Sequence, residues 1–308
     1  MKAATTAYVE PFVLTRSRVA DYLELTKPRV AVLVLFTVAA GALLAARGTP
    51  DLWVLVHVLC GTALVAAGAS ALNQFIERHS DALMRRTENR PLPSGRLQPL
   101  EVLVFGSLLG IAGTVYLALF VRQPLAALVA GATFLSYVFL YTPLKRKTTL
   151  NTLVGAVPGA LPPVIGWTAV RGSIDAEVVV LFLIVFLWQV PHFLAIAWIY
   201  REDYARAGLH MLPTLEHAGG ITGRQMLSYC LALIPVSLMP AALNVAGPLY
   251  VAGALGLGVL FLGAIVGFVR THSVGRARRV LRASLVYLPV LLTLLLVDGA
   301  LRLFPVRP

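Results

Sequence analysis

Asn73, Glu77 and Asp81 recur at four-residue intervals in NQFIERHSDALMRRTENRPLPSG, a stretch that follows directly on a long apolar run. On a helix that spacing advances only about 40° per step, so the amide and both carboxylates share one wall. Like charges four apart destabilise an exposed helix by roughly 0.2–0.5 kcal/mol, so helix stability does not explain why Glu77 and Asp81 stand together. A divalent cation does. Mg2+ takes oxygen from one or two carboxylates and a substrate phosphate while keeping several waters. Arg85, Arg86 and Arg90 come next, and their forked donors match phosphate oxygens. The pattern points to a metal-held diphosphate. The rival reading is a solvated helix end in which Asp81 pairs with Arg85. Pro91, Pro93 and Gly95 weigh against it, because a merely polar linker has no need of a rigid turn back toward the next helix.

A second polar cluster lies in WQVPHFLAIAWIYREDYARAGLHMLP, Trp188 to Pro213. Gln189 and His192 fall inside an apolar run, where polar groups without partners are costly enough to be functional candidates. On an uninterrupted helix Asp203 follows His192 by about 16 Å along the axis and about 20° around it, so both face one cavity. Pro191 is a possible kink in that helix, and the plain structural role for His192 is an interhelical hydrogen bond. Basic residues gather at two further points, Lys27 and Arg29 in LTKPRV and Lys145 and Arg146 in YTPLKRKT. With Arg86, Arg90 and Arg201 they are expected to bind the diphosphate. Snorkelling at helix ends is the alternative, and it is the preferred role of Lys147.

These groups need a scaffold, and the composition dictates one. Of 308 residues, 58% are hydrophobic and 13% charged, and the mean hydropathy is +0.81, outside the balance of a soluble domain. Nine apolar stretches reach the roughly 17–25 residues that cross a hydrocarbon core. They cover about 30–46, 52–76, 100–121, 124–142, 150–170, 177–199, 226–246, 248–269 and 284–303. In lipid the backbone must pair internally, and runs this long exceed barrel strands, so all nine are read as helices. The fold class is an all-α polytopic membrane protein, with nine transmembrane helices around a central cavity. Gly155, Gly159 and prolines 158, 162 and 163 mark the fifth span as small and broken, the kind that lines cavities.

A net charge of +12 invites a nucleic-acid partner, but 21 of the 26 Lys and Arg fall on alternate connections. The positive-inside rule accounts for them as topology, with a cytosolic N-terminus, and no basic soluble module suggests nucleic acid. Only Arg47, Arg122, Arg171, Arg302 and Arg307 are left for the other face. The expected division is a cytosolic tail (1–29), a nine-helix domain (30–303) and a short C-terminal tail (304–308). The first segment lacks the apolar core and cleavage site of a signal peptide. Cys60 and Cys230 lie in or beside spans, where packing is the default role. Almost every polar cluster lies on the cytosolic connections, so the cavity is expected to open there.

The opening motif resembles the first signature of the UbiA-type intramembrane prenyltransferases. That signature has an Asn and two acids at four-residue intervals, then Met-x-Arg-Thr-x-x-Arg-Pro-Leu. Within that superfamily, YTPLKRKTTLNTLVGAVPGALPPVIGW and WQVPHFLAIAWIYREDYARAGLHMLP are similar to the protohaem IX farnesyltransferase branch. The likeness runs from about Leu25 to the ninth helix. It implies Mg2+, farnesyl diphosphate and haem b as substrates, haem O as product, and a haem A synthase as a possible recipient. It also implies a bacterial-type inner membrane with the active site facing the cytosol. Residue by residue, it assigns Asn73, Glu77 and Asp81 to the first metal motif and Asp203 to the acid of the second. His192 would orient the porphyrin or ligate its iron. Two departures stand out. Glu77 replaces the usual Asp, and the position four before Asp203 is Ile199, with Glu202 adjacent, so the second metal site is expected to be poorer or differently built. Prenylation of an aromatic or quinone acceptor is the near alternative. Rivals from other classes are a non-catalytic assembly factor and a secondary transporter, whose charges should sit nearer the midplane.

Overall fold

The structure is a computed structural model that describes residues 17–216 and 218–303. Residues 1–16 and 304–308 of the expected tails lie outside the described residues. The described chain folds as α1 (Arg18–Thr26), α2 (Pro28–Ala46), α3 (Leu52–Asp81), α4 (Pro99–Phe120), α5 (Pro124–Leu144), α6 (Asn151–Arg171), α7 (Ala176–Ile199), α8 (Arg201–Arg206), α9 (Leu212–Leu215), α10 (Gly220–Ala242), α11 (Pro248–Thr271) and α12 (Val274–Leu303). Nine of these, α2–α7 and α10–α12, are long and apolar enough to cross a membrane.

Local chemistry sets the ends. Proline opens α2, α4, α5 and α11, where its fixed φ is preorganised and its missing N–H costs nothing. Asp51 caps α3 by accepting from the N–H groups of Trp53 (2.9 Å) and Val54 (3.4 Å). α6 is interrupted at Leu161, between Pro158 and the Pro162–Pro163 pair. α5 passes through a π-helical stretch at Ser136–Tyr141, an irregularity that often accompanies functional sites.

Two boundaries differ most from the hydropathy reading. Residues 18–26 form a helix inside what was expected to be tail, and α12 starts at Val274 instead of near 284. Both extensions are too charged to register as apolar runs, yet Arg is a good helix former whose stem covers apolar surface.

The bundle is packed by backbone contact. A Cβ on Gly41 of α2 would lie 2.1 Å from the Pro163 carbonyl oxygen, and one on Gly166 of α6 would lie 1.9 Å from that of Val38. α3 and α4 approach as closely, for a Cβ on Gly68 would lie 2.5 Å from the Gly110 nitrogen. Lipid supplies no hydrophobic drive between spans, so small residues that let helices approach supply the contact instead. Two satellite cores then fix the polar end of the bundle. Leu25, Leu92, Leu97 and Val102 bury α1 and the α3–α4 connection against Ala71. Met84, Ala197, Leu209 and Met211 tie that connection to the end of α7.

Candidate active site

α3 continues without a break through Asp81, so Asn73, Glu77 and Asp81 do stack on one face, and all three are buried. Each meets a cation or donor from another element. Lys27 Nζ donates to Asn73 Oδ1 at 3.1 Å, while the Asn73 amide reaches Thr142 Oγ1 at 3.3 Å. Lys145 Nζ lies 2.7 Å from Glu77 Oε1 and 4.5 Å above the Tyr141 ring. Arg90 Nη1 donates to Asp81 Oδ2 at 2.6 Å. Arg146 Nη2 joins the same rim through Ser80 Oγ at 3.2 Å.

The path to this arrangement is local. Lys27 sits between α1 and α2 with φ at 49°, a left-handed conformation that non-glycine residues hold only when the surroundings impose it. Arg96 supplies the restraint, holding α1 by Asp21 (2.7 Å) and Glu24 (3.0 Å). Gln74 adds to it by donating to the Leu25 carbonyl (3.0 Å). The turn after α3 folds back on the helix end, with Thr87 Oγ1 donating to the Asp81 carbonyl at 2.8 Å. That curl brings Arg90 round to Asp81, whereas Arg85 stays exposed. Lys145 leaves α5 just after its π-helical stretch and is fixed by the His210 N–H, which donates to the Lys145 carbonyl at 2.8 Å.

Burial, with Arg90 nearby, pulls the Lys27 ammonium down to about 7. Burial opposes the charge on Lys145 too, but the Glu77 carboxylate together with Tyr141 and Tyr137 outweighs it and holds Lys145 well above its ordinary range. Glu77 Oε1 meets Lys145 as an ion pair, and one further carboxylate oxygen is left over. Asp81 Oδ1 is buried without a hydrogen-bond partner, a costly state in a native site unless something else uses the lone pairs. An amide oxygen and two carboxylates, one with a free oxygen, suit Mg2+. No group of three His, Cys, Asp or Glu among the described residues could enclose an ion by itself, so substrate and water oxygens must complete its shell.

Below the rim runs a narrow slot of about 140 Å3, with Val34, Thr62, Ala69, Phe134, Tyr137 and Gly159 among its lining. Thr62 and Ala69 precede Asn73 on the same face of α3, eleven and four residues back, so the slot leads down from the carboxylate wall.

The second cluster departs from the continuous helix expected of it. α7 runs through Pro191 but ends at Ile199, and Tyr200 leaves helical geometry (φ −110°, ψ 22°) before the short α8 begins. His192 and Asp203 are therefore not stacked on one helix. Glu202 and Asp203 occupy the first turn of α8, where carboxylates complement the helix dipole. Asp203 forms an ion pair with Arg206. Arg86 crosses to this segment, donating to Tyr204 OH at 3.2 Å and stacking on Tyr200 at 4.7 Å. Arg201 stacks on Trp198 at 4.7 Å, and Arg29 is exposed at the start of α2.

Within α7, Gln189 is buried and donates to the carbonyls of Val185 (3.1 Å) and Ala156 (3.3 Å), bracing α7 against α6. His192 Nδ1 lies 2.8 Å from Ser284 Oγ. Ser284 gives its own proton to the Leu281 carbonyl (2.7 Å), so Nδ1–H donates to Ser284 and Nε2 keeps its lone pair. The ring also stacks on Trp188, centroids 4.9 Å apart. Thr142, Tyr141, Ser80, Tyr204 and Ser284 were not singled out from sequence. Hydroxyls in spans are common, and only the fold shows which of them meet a site.

The sequence model of the UbiA prenyltransferase family matches residues 34–292. A protoheme IX farnesyltransferase of Solibacter usitatus is 49% identical over 290 residues, covering 90% of this chain and 98% of its own. One from Koribacter versatilis is 43% identical over 303 residues, covering 94% and 97%. Among solved structures, that of a digeranylgeranylglyceryl phosphate synthase superposes with TM-score 0.77 at 20% identity, over 92% of this chain and 98% of its own. A UbiA homolog from Archaeoglobus fulgidus bound to GPP and Mg2+ gives 0.61 at 14% identity, over 90% and 99%. The described fold and the match over most of the chain agree: this chain belongs to the UbiA prenyltransferase family.

Proposed function

We propose that this chain transfers the farnesyl group of farnesyl diphosphate to a vinyl group of haem b, giving haem O and diphosphate. The observation that carries the reading is the wall of Asn73, Glu77 and Asp81, ringed by Lys27, Arg90 and Lys145 at the head of an apolar slot. High identity to protoheme IX farnesyltransferases over nearly their whole length supports the choice of acceptor.

Asn73, Glu77 and Asp81 would hold Mg2+, with Asp203 contributing from α8 once its pair with Arg206 opens. Bound there, the ion would neutralise the diphosphate and stabilise the charge that grows on it as a leaving group. Arg90, Lys145 and Arg146 add fixed positive charge at the same place, already oriented before reaction, and Lys27 joins them when the diphosphate favours its charged form. Arg86 closes the rim from the α3–α4 connection. The C1–O bond of the farnesyl donor breaks with its electron pair leaving on diphosphate, and the allylic carbon becomes carbocation-like. The slot keeps water from this carbon, since early capture would give farnesol. The terminal vinyl carbon of haem b attacks C1, and water adds to the adjacent carbon with loss of a proton, leaving a hydroxyethylfarnesyl substituent. His192, held by Ser284 with Nε2 free, orients the porphyrin or ligates its iron. The chain is a multi-pass membrane protein. In this reading it lies in a bacterial-type inner membrane, with the carboxylate rim facing the cytosol as the charge pattern requires.

The test is to supply membranes holding the chain with haem b, farnesyl diphosphate and Mg2+, and to identify the tetrapyrrole product by mass spectrometry. Farnesylated haem is expected, its formation abolished by chelation and restored by Mg2+. Undiminished turnover after all divalent ions are chelated would overturn the metal assignment. Prenylation of an added quinone precursor in place of haem would overturn the acceptor.

A further inference from the structure

At the opposite end of the bundle lies a cavity of about 590 Å3 that takes no part in the transfer described above. It is enclosed by the final turns of α2 and α12, the α10–α11 connection and Trp167 of α6. Leu44, Trp167, Leu243 and Leu296 give it apolar walls, and Arg47 and Arg302 also line it.

Three observations single it out. Only five of the 26 basic residues are left for this face by the charge pattern, yet the fold brings two of them together from opposite ends of the chain. The lining also contains two of the four non-glycine residues with positive φ among the described residues, Arg47 at 44° and Asn244 at 58°. Such conformations persist where the surroundings over-determine them and cluster at ligand sites. The third observation is charge. Arg47 is paired with Glu177, but among the described residues Arg302 donates only to the Asn244 carbonyl at 3.2 Å. Asp298, one turn earlier on α12, is committed to the N–H groups of Gly247 and Tyr250 at the start of α11. Arg302 thus has no carboxylate within ion-pair distance among the described residues, and most of its donors remain for something else.

We infer that this cavity binds an amphiphile with an anionic head, its hydrocarbon part against Leu44, Trp167 and Leu296 and its head oxygens on Arg302 and Arg47. Apolar walls alone would take any acyl chain. Guanidinium forks select phosphate or carboxylate, which they engage with two parallel hydrogen bonds. Two sources carry such a head, an acidic phospholipid and the carboxylates of a tetrapyrrole.

Native mass spectrometry of the full chain in neutral detergent tests the inference, with phosphatidylglycerol, phosphatidylcholine or haem b added. The proteins compared are wild type, the double variant Arg47→Gln/Arg302→Gln, and Gly299→Leu. Gly299 lines the cavity, and a Cβ there meets only the Val245 carbonyl oxygen at 3.9 Å. A leucine therefore fills the space while leaving both arginines and the Arg47–Glu177 pair intact. Wild type should retain one anionic amphiphile in preference to phosphatidylcholine, and both variants should retain it at least about tenfold less, the double variant because it loses hydrogen bonds to a charged group and Gly299→Leu because the added side chain takes the space of the hydrocarbon part. Whether phosphatidylglycerol or haem b is the one retained then names the source. Equal retention of phosphatidylglycerol and phosphatidylcholine with no variant-sensitive haem b, or unchanged retention of each anion in both variants, would overturn the inference.

Discussion

Around Asp81 the carboxylates ride on one unbroken helix, whereas around Asp203 the helix breaks first. α3 carries Asn73, Glu77 and Asp81 past the apolar run as a rigid ladder, and three basic residues from other elements close on it. α7 stops at Ile199, and α8 restarts after the non-helical Tyr200 with Asp203 turned to its neighbour Arg206. One segment is held by long-range contacts, and the other by a local pair. The difference teaches that two acidic motifs of one chain need not be held, or share the work, equally. In the proposed reading the first is a fixed metal wall and the second an adjustable flank.

If so, substitutions in the first segment should cost far more than those in the second. Glu77→Gln or Asp81→Asn should lower farnesyl transfer by about 100- to 1,000-fold, the range for removing a preorganised electrostatic group. Asp81→Asn still offers Arg90 an amide oxygen, so a monodisperse elution profile should survive and separate chemistry from folding. Wild-type rates in both variants would break the comparison at its strong end. The cations on that wall come next. Lys145→Gln should slow transfer by roughly 10- to 100-fold, the worth of one charge-assisted contact, with much of the loss in KM for farnesyl diphosphate. A change confined to haem affinity would move Lys145 out of the diphosphate's shell.

The strong end was legible in the sequence and the weak end was not, for a physical reason. A four-residue repeat of Asn, Glu and Asp keeps its meaning on any helix, so the α3 wall follows from spacing alone. Nine spans follow from hydropathy just as directly, because lipid leaves the backbone no other option. What spacing does not contain is where a helix yields. Tyr200 carries no proline or glycine signal, and only the acids at 202 and 203 hint that a new helix begins there. Partner choice was hidden for the same reason. Arg85 is one turn from Asp81 and looked like its natural mate, but the curl closed by Thr87 delivers Arg90 instead. For Gln189, polarity within a span marks a functional candidate but not its partners, which the fold shows to be carbonyls of α6 and α7 for both amide donors.

The weak end then sharpens the contrast. Asp203→Asn should cost less than about tenfold, since Asp203 is held only by a local pair with half-exposed Arg206 and is not aimed at the wall in advance. A loss equal to that of Asp81→Asn, measured in the same membranes, would make the two acidic segments equivalent and remove the distinction between wall and flank.

The smallest effect expected is that of Tyr204→Phe. It removes the hydroxyl that accepts from Arg86 at 3.2 Å but leaves the aromatic faces of Tyr200 and of residue 204 available to the guanidinium. An exposed hydrogen bond of this kind is worth roughly 0.5 kcal/mol, so turnover should fall by only about twofold. The informative quantity is the coupling. If Tyr204 acts by positioning Arg86 on the diphosphate, the double variant Arg86→Gln/Tyr204→Phe will be no worse than Arg86→Gln alone, because the hydroxyl acts only through that arginine. Additive losses would mean that the Tyr204 hydroxyl touches substrate itself. In that case the flank supplies chemistry of its own, and α8 does more than adjust.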